Sequence, residues 1–255
     1  MIESNRINDN WSQVNGAGLA YCDGTIRNNV ISGNAAELSG GGLYGCHGTI
    51  ENNTIAGNSA GQNGGGVYDC DGVIRNSIIW ANTASSGSQL YGSSTPSFSC
   101  IAGWSSGGEG SIAEAPTFLD VGNRDFRLST DSPCIDAGFN DPGLPETDMA
   151  GMHRIMFGGK SLTVDIGAYE FHIWPPTENT QTGEMTLKWS SLAGKTHTVY
   201  HSSDMFTWDV LADDLASAGD TVTTWIDPPA PILPPGVQRR YYKIAEKPVG
   251  ITFRR

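Results

Sequence analysis

Isoleucine returns at a fixed interval along the first third of the chain. Ile2, Ile26, Ile50 and Ile74 are 24 residues apart, and Ile7, Ile31, Ile55 and Ile79 repeat that interval five places on. Asn10, Asn34, Asn58 and Asn82 follow three places later; Leu19, Leu43 and Val67 form another apolar column, and Cys22, Cys46 and Cys70 a fourth. Between the columns lie Ser, Thr, Asn and Gly runs, as in GGGLYGCHGTI (residues 40–50) and GGGVYDCDGVI (64–74). A row of this kind cannot bury its apolar positions alone, so successive rows must stack. At about 3.3 Å per residue a row makes about three short strands plus corners, with neighbouring rows about 4.8 Å apart. Two inward isoleucines five apart cannot share one face of a straight strand, so a bend falls between them. Asn29 and Asn53 are expected at that bend, because Asn tolerates the left-handed region. The Gly triplets suit corners where a Cβ would clash.

The pattern predicts an all-β chain beginning with a short right-handed parallel β-helix of 24-residue coils, the hand being that of nearly all parallel crossovers. A leucine-rich repeat would need Leu-dominated columns and a helical segment. The column Glu3, Arg27, Glu51, Arg75 alternates in sign, as an in-register parallel stack requires. Exposed pairs of this kind contribute only about 0.5 kcal/mol each, so their value is diagnostic of register. The fourth row loses phase near Gln89, where the stack is expected to end. The first row is in phase from Ile2 without a polar cap, so that end is expected to continue into further coils or to be covered by a partner.

Composition narrows the setting. The formal charge of −12 disfavours nucleic acid and anionic lipid as partners. No apolar run approaches the ~20 residues that span a bilayer. Thirty-three glycines and thirteen prolines speak for turns and strands over helices. Met1 is followed at once by a polar stretch and not by a signal peptide, which is read as the mark of a fragment of a longer secreted protein.

Past the coils come SCIAGW (99–104), APTFLD (115–120), DFRL (125–128), SPCIDAG (132–138), TDMAGMHR (147–154) and DIGAYEF (165–171). With the coils, this set resembles secreted bacterial right-handed parallel β-helix repeat proteins with a choice-of-anchor-type C-terminal segment. The matching residues are Cys100, Phe118, Asp120, Asp125–Leu128, Cys134–Gly138, Asp148, Gly151, Arg154 and Asp165–Phe171; Ala115 and Phe126 depart from the pattern. The resemblance covers residues 1–172 and implies an extracellular or cell-surface protein without one agreed activity. It also implies a Cys100–Cys134 disulfide, which suits an oxidising setting. Residues 173–184 read as a linker. Residues 185–250 then carry strands at 8–15-residue spacing, the signature of a small antiparallel β-sandwich. Trp189, Gly194, Ser203, Met205, Trp208, Tyr241 and Tyr242 resemble a fibronectin-type-III-like module, with His197 standing where an aromatic is usual. Trp189, Trp208 and Trp225 are expected in its core.

Candidate chemistry is sparse. Asp23, His47 and Asp71 occupy one position on three consecutive rows, a column that two carboxylates and an imidazole could use as acid and base or for a cation such as calcium. Each precedes a Gly, which is also ordinary turn chemistry. Tyr44, Tyr68 and Asp69 lie beside this column as candidate ligand-binding residues. Pectate lyases and polygalacturonases share the β-helix, but neither catalytic motif is visible. Zinc spacings, a nucleophile elbow and a phosphate loop are also missing from the sequence. The chain therefore reads as an exported β-helix protein with a structural, adhesive or glycan-binding role; a polysaccharide lyase or hydrolase, or an accessory piece of one, is the alternative.

Overall fold

The computed structural model describes residues 1–154, 163–171, 173–178, 184–190, 196–202, 209–216, 222–227 and 241–246. Every regular element among them is a strand. The first turn of chain carries β1 (Ile2–Glu3), β2 (Arg6–Asn8), β3 (Trp11–Ser12) and β4 (Leu19–Ala20). The second carries β5 (Ile26–Arg27), β6 (Val30–Ser32), β7 (Ala35–Ala36) and β8 (Leu43–Tyr44). The third carries β9 (Ile50–Glu51), β10 (Thr54–Ala56), β11 (Ser59–Ala60) and β12 (Val67–Tyr68). The fourth keeps β13 (Ile74–Arg75), β14 (Ile78–Trp80) and β15 (Leu90–Tyr91), followed by β16 (Cys100–Ile101). Equivalent strands pair in parallel, giving the sheets β1-β5-β9-β13, β16-β14-β10-β6-β2, β11-β7-β3 and β15-β12-β8-β4. The chain is thus a parallel β-solenoid whose turns repeat every 24 residues.

Four strands per turn replace the three expected. The extra strand, β3 and its equivalents, falls on Trp11-Ser12, Ala35-Ala36 and Ser59-Ala60, which make no apolar column. The stack also continues past Gln89. Leu90 pairs with Val67 one residue short of the repeat, and Ile101 with Ile79 two residues short. The last coil is shorter and keeps three of the four strands, the other being reduced to an isolated bridge between Ser59 and Thr83.

Ile26, Ile31, Leu43, Cys46, Ile50, Ile55, Val67, Cys70, Ile74, Ile79 and Ile101 form the buried core of the solenoid. Two files of side-chain amides run beside it. Asn34 Oδ1 accepts from Asn10, Asn58 Oδ1 from Asn34 and Asn82 Oδ1 from Asn58, each through both the backbone N–H and Nδ2 of the earlier residue. Asn5, Asn29, Asn53 and Ser77 make the second file in the same sense. Asn29 and Asn53 therefore do not occupy the left-handed bend assigned to them. Asn28, Asn52 and Asn76, one place earlier, carry it with φ of 55°, 51° and 48°. This frees the following amide to point inward, where it replaces the hydrogen bonds that the corner breaks. The Gly triplets act as expected: a Cβ on Gly42 would lie 2.5 Å from Gly66 O and 2.9 Å from Ile55 Cγ2.

The alternating charges stand in the predicted register, with Glu3 opposite Arg27 and Arg75 opposite Glu51. They settle into pairs, Arg27 on Glu3 and Arg75 on Glu51, both at 2.8 Å. The free arm of each arginine goes to a later segment: Arg75 Nη1 to Asp141 (2.6 Å) and Arg27 Nη1 to Gly143 O (3.3 Å).

The chain divides into two compact units, residues 1–118 with 132–170 and residues 119–131 with 171–255. In the first, segments 132–154 and 163–170 lie along the coils as a strap. Arg154 is buried and anchors it, giving Nη1 to Glu170 (2.9 Å) and Nη2 to Asn28 Oδ1 (2.6 Å) and Gly167 O (2.9 Å). Tyr169 accepts from Arg6 at 2.5 Å, Ala168 N–H donates to Thr54 Oγ1, and Asn76 exchanges bonds with Phe139. Burial, then the neighbouring Asp165 charge, push the Glu170 carboxyl up against the pull of Arg154.

The second unit holds β17 (Phe118–Asp120, entering from the first unit) and β18 (Asp125–Leu128), which pair, and two three-stranded antiparallel sheets. These comprise β19 (Ile173–Glu178), β20 (Met185–Ser190) and β23 (Val222–Asp227), and β21 (Thr196–Ser202), β22 (Asp209–Ala216) and β24 (Tyr241–Glu246). The stretch expected as a linker contains β19, paired with β20. Leu187, Trp189, Val199 and Ile244 form a buried cluster with Trp225 packed against it. His197 packs edge-on to Trp189, with ring centroids 5.6 Å apart. Gly194, Ser203, Met205 and Trp208 lie outside the described residues.

Candidate ligand-binding face

In the second, third and fourth turns the residue after the Leu/Val column is tyrosine. In-register pairing superposes Tyr44, Tyr68 and Tyr91. Their rings stack nearly parallel, Tyr44 on Tyr68 at 5.3 Å and 10°, Tyr68 on Tyr91 at 5.9 Å and 7°. The first turn has Ala20 in this column, and Tyr21 supplies the ring from the next position. Tyr21 takes a left-handed backbone (φ 55°), lies over Gly45 and meets Tyr44 edge-on at 5.2 Å and 85°. Stacking covers both faces of Tyr68 and one face of Tyr91, and Tyr21, 72% exposed, is the most open of the four rings. A hydrogen bond with Tyr21 is the main cause that raises the Tyr44 phenol above its ordinary range, with burial and the charges of Tyr21, Tyr68 and Asp69 adding to it.

Tyr21 and Tyr91 were not singled out from the sequence. Tyr91 is legible as Leu-Tyr repeated one residue out of phase; Tyr21 carries no column signal because it sits one place off register.

Along the adjoining corner, Asp23, His47, Asp69 and Asp71 are all exposed. His47 Nδ1 and Asp71 Oδ1 are 2.5 Å apart, an ion pair when the imidazole is protonated. The column thus joins two of its three members. Among the described residues no group of three or more His, Cys, Asp or Glu side chains is arranged to hold a metal ion, so the calcium expectation gains no ligand set from this corner.

Beneath the corner run the cysteines. Cys22 N–H donates to Cys46 Sγ (3.4 Å), Cys46 N–H to Cys70 Sγ (3.3 Å) and Cys70 N–H to Ser93 Oγ (2.9 Å). Burial first, then Cys46, push the Cys22 thiol up to about 11. The Cys70 thiol donates to Tyr68 O (3.3 Å) and the Cys46 thiol to Tyr44 O (3.5 Å); the interaction between the two sulfurs lowers Cys46 to about 7 and raises Cys70. Cys100 and Cys134, the expected disulfide pair, are both buried with their side chains in contact. Cys100 is turned to donate to Glu114 O at 3.2 Å. Burial, then the contact with Cys100, hold the Cys134 thiol well up.

A cavity of about 210 Å³ opens at the first turn, lined by Met1, Ile2, Cys22, Gly24, Thr25 and Ile26. No helix among the described residues is long and apolar enough to cross a membrane.

No protein-family model, curated protein or solved structure matches the chain.

Proposed function

We propose that this is an exported or cell-surface protein whose solenoid serves as a rigid, non-catalytic scaffold for binding uncharged polysaccharide along the tyrosine ridge. The observation that carries the reading is the geometry of Tyr21. It leaves the ring stack, stands edge-on to Tyr44 and is 72% exposed, two residues before Asp23 at the corner that also carries His47 and Asp71. An aromatic face flanked by hydrogen-bonding groups suits a pyranose, which has apolar C–H faces and a polar rim. The charge of −12 disfavours polyanionic chains such as pectate. The likeness to secreted right-handed β-helix proteins supports export. A fibronectin-type-III-like β-sandwich at the C-terminus would be a spacer or second adhesive module.

Affinity electrophoresis through neutral plant glycans, pectin and alginate, with and without calcium, tests the reading. Retardation in neutral glycan is expected, weakened about fivefold by Tyr21→Ala. No retardation in any gel would refute it. The His47–Asp71 contact favours a second reading, a lyase or hydrolase with His47 as a base oriented by Asp71. Oligosaccharide release that vanishes in both His47→Ala and Asp71→Ala would establish that reading in place of the first.

A further inference from the structure

We infer that the cysteine file is a binding site for a soft monovalent cation of the Cu(I) class, held in a line between the sulfurs of successive turns with Cys46 as the shared ligand. The residue before each cysteine, Tyr21, Gly45 and Asp69, is left-handed, with φ of 55°, 58° and 53°. That kink turns the next side chain inward, and Cys46 and Cys70 are fully buried in the core that also holds Leu43, Ile50, Val67 and Ile74. The three sulfurs repeat one arrangement. Each donates to the carbonyl two residues back, Cys22 to Ala20 and Cys46 to Tyr44 at 3.5 Å, Cys70 to Tyr68 at 3.3 Å. Cys46 and Cys70 Sγ also accept the N–H of the cysteine one turn earlier, at 3.4 and 3.3 Å. Side chains that superpose on the repeat stand as far apart as the turns themselves, about 4.8 Å.

That spacing selects the chemistry. A disulfide needs Cβ atoms about 3.5–4.5 Å apart and side chains turned toward each other, whereas these run parallel. Two metal–thiolate bonds of about 2.3 Å set end to end need sulfurs about 4.6 Å apart. Thiolates select soft ions such as Cu(I). Among the described residues no group of three or more His, Cys, Asp or Glu is arranged to hold a metal, so an ion that demands four ligands, such as Zn²⁺, is not served. Hydrogen bonding alone does not call for sulfur here. In the fourth turn Gly92 makes the same kink (φ 59°), and Ser93 Oγ accepts from Cys70 N–H at 2.9 Å and donates to Tyr91 O at 3.1 Å, the same two bonds. Binding exchanges two S–H protons for one cation: two S–Cu bonds form, the S–Cu–S unit carries one negative charge and both protons go to solvent. The N–H groups of Cys22 and Cys46 stay on the sulfurs of Cys46 and Cys70 to meet that charge. The exposed residues next to the cysteines in sequence, Asp23, His47, Asp69 and Asp71, form an acidic corner that gathers cations.

The test is an anaerobic titration of Cu(I) into the reduced full chain, in competition with a chromogenic chelator. Every chain carries Cys100→Ala, which removes the other pair of adjacent thiols. Saturable binding is expected, with thiolate-to-metal charge-transfer absorption in the near ultraviolet and a rise in Tm. Cys46→Ser leaves Cys22 and Cys70 two turns apart, beyond the reach of one ion, and should weaken binding at least about 100-fold. Serine keeps the hydrogen bonds of this position, as Ser93 does. Cys22→Ser and Cys70→Ser each leave one adjacent pair and should lose less than about tenfold. The double variant Cys22→Ser/Cys70→Ser keeps Cys46 alone and should fall as far as Cys46→Ser. Equal losses in the three single variants would mean independent thiols and overturn the inference. Absence of binding overturns it as well, as does tight binding that persists in Cys46→Ser or in the double variant. The titration reads the interior of the solenoid and glycan retardation its surface, so neither result decides the other.

Discussion

The amide files make a sharp energetic contrast between neighbouring asparagines. Asn58 is buried, with its Oδ1 accepting from Asn34 N (3.0 Å) and Nδ2 (2.9 Å) and its own Nδ2 donating to Ile31 O and Asn82 Oδ1, both at 2.9 Å. Asn58→Ala removes the amide but spares the backbone bond from residue 58 to Asn82. Asn34 N–H is left buried without its acceptor and Ile31 C=O without that donor. At about 1–3 kcal/mol for each buried group so abandoned, the expected loss is about 3 kcal/mol. That corresponds to a fall in Tm of about 6–12 °C for a chain of this size. Asn52 is the control. It is equally buried, neither atom of its amide has a hydrogen-bond partner, and its φ of 51° favours glycine. Asn52→Gly removes a desolvated amide and relaxes the backbone, against a larger entropy in the unfolded chain, so it should stay within about 0.5 kcal/mol of the parent. Urea unfolding followed by far-UV circular dichroism measures both. Equal losses in the two variants, or less than about 0.5 kcal/mol for Asn58→Ala, would refute the idea that the amide files hold the coils.

Three further outcomes follow from particular contacts. Arg154→Leu strands Glu170 and Asn28 in the interior and should cost about 3–5 kcal/mol, with Arg154→Leu/Glu170→Leu recovering most of it; calorimetry of the two variants decides this. Gly42→Ala drives a Cβ into backbone and should lower Tm far more than Gly57→Ala, whose Cβ meets nothing within 4 Å and costs only its left-handed φ of 66°. The Cys22 thiol, at about 11 in the fold against an ordinary 9.0, contributes stability that is intact below the ordinary value and lost as pH rises from there toward the folded one. Urea midpoints at about pH 8 and pH 10.5 should therefore fall further for the parent chain than for Cys22→Ser.

How much of this was legible depended on whether a residue belonged to a column. The coil register was, because Ile2, Ile26, Ile50 and Ile74 pair as their spacing requires. The strand at Ala35-Ala36 was not, since alanine and serine leave no hydrophobic trace at a corner. The bend was misplaced by one residue because Asn28 and Asn29 are both asparagine, and only the backbone distinguishes the left-handed one from the inward one. The strap's anchors were out of reach: Arg154 meets Asn28 across 126 residues with no repeat to connect them. Of the candidate site, Tyr44 and Tyr68 were readable as a column, whereas the exposed, edge-on placement of Tyr21 comes from a change of ring angle that no spacing encodes.

Two amide files five residues apart check each winding twice against its neighbour. A slip of one position would break both checks at once and turn the core isoleucines outward. Length in this molecule is therefore quantised: between Ile2 and Asn82 the gene can gain or lose only whole windings of 24 codons. A change of one or two codons is carried after Asn82, the last asparagine of its file, where Asn63 pairs with Ser86 and Val67 with Leu90, each one residue short of the repeat.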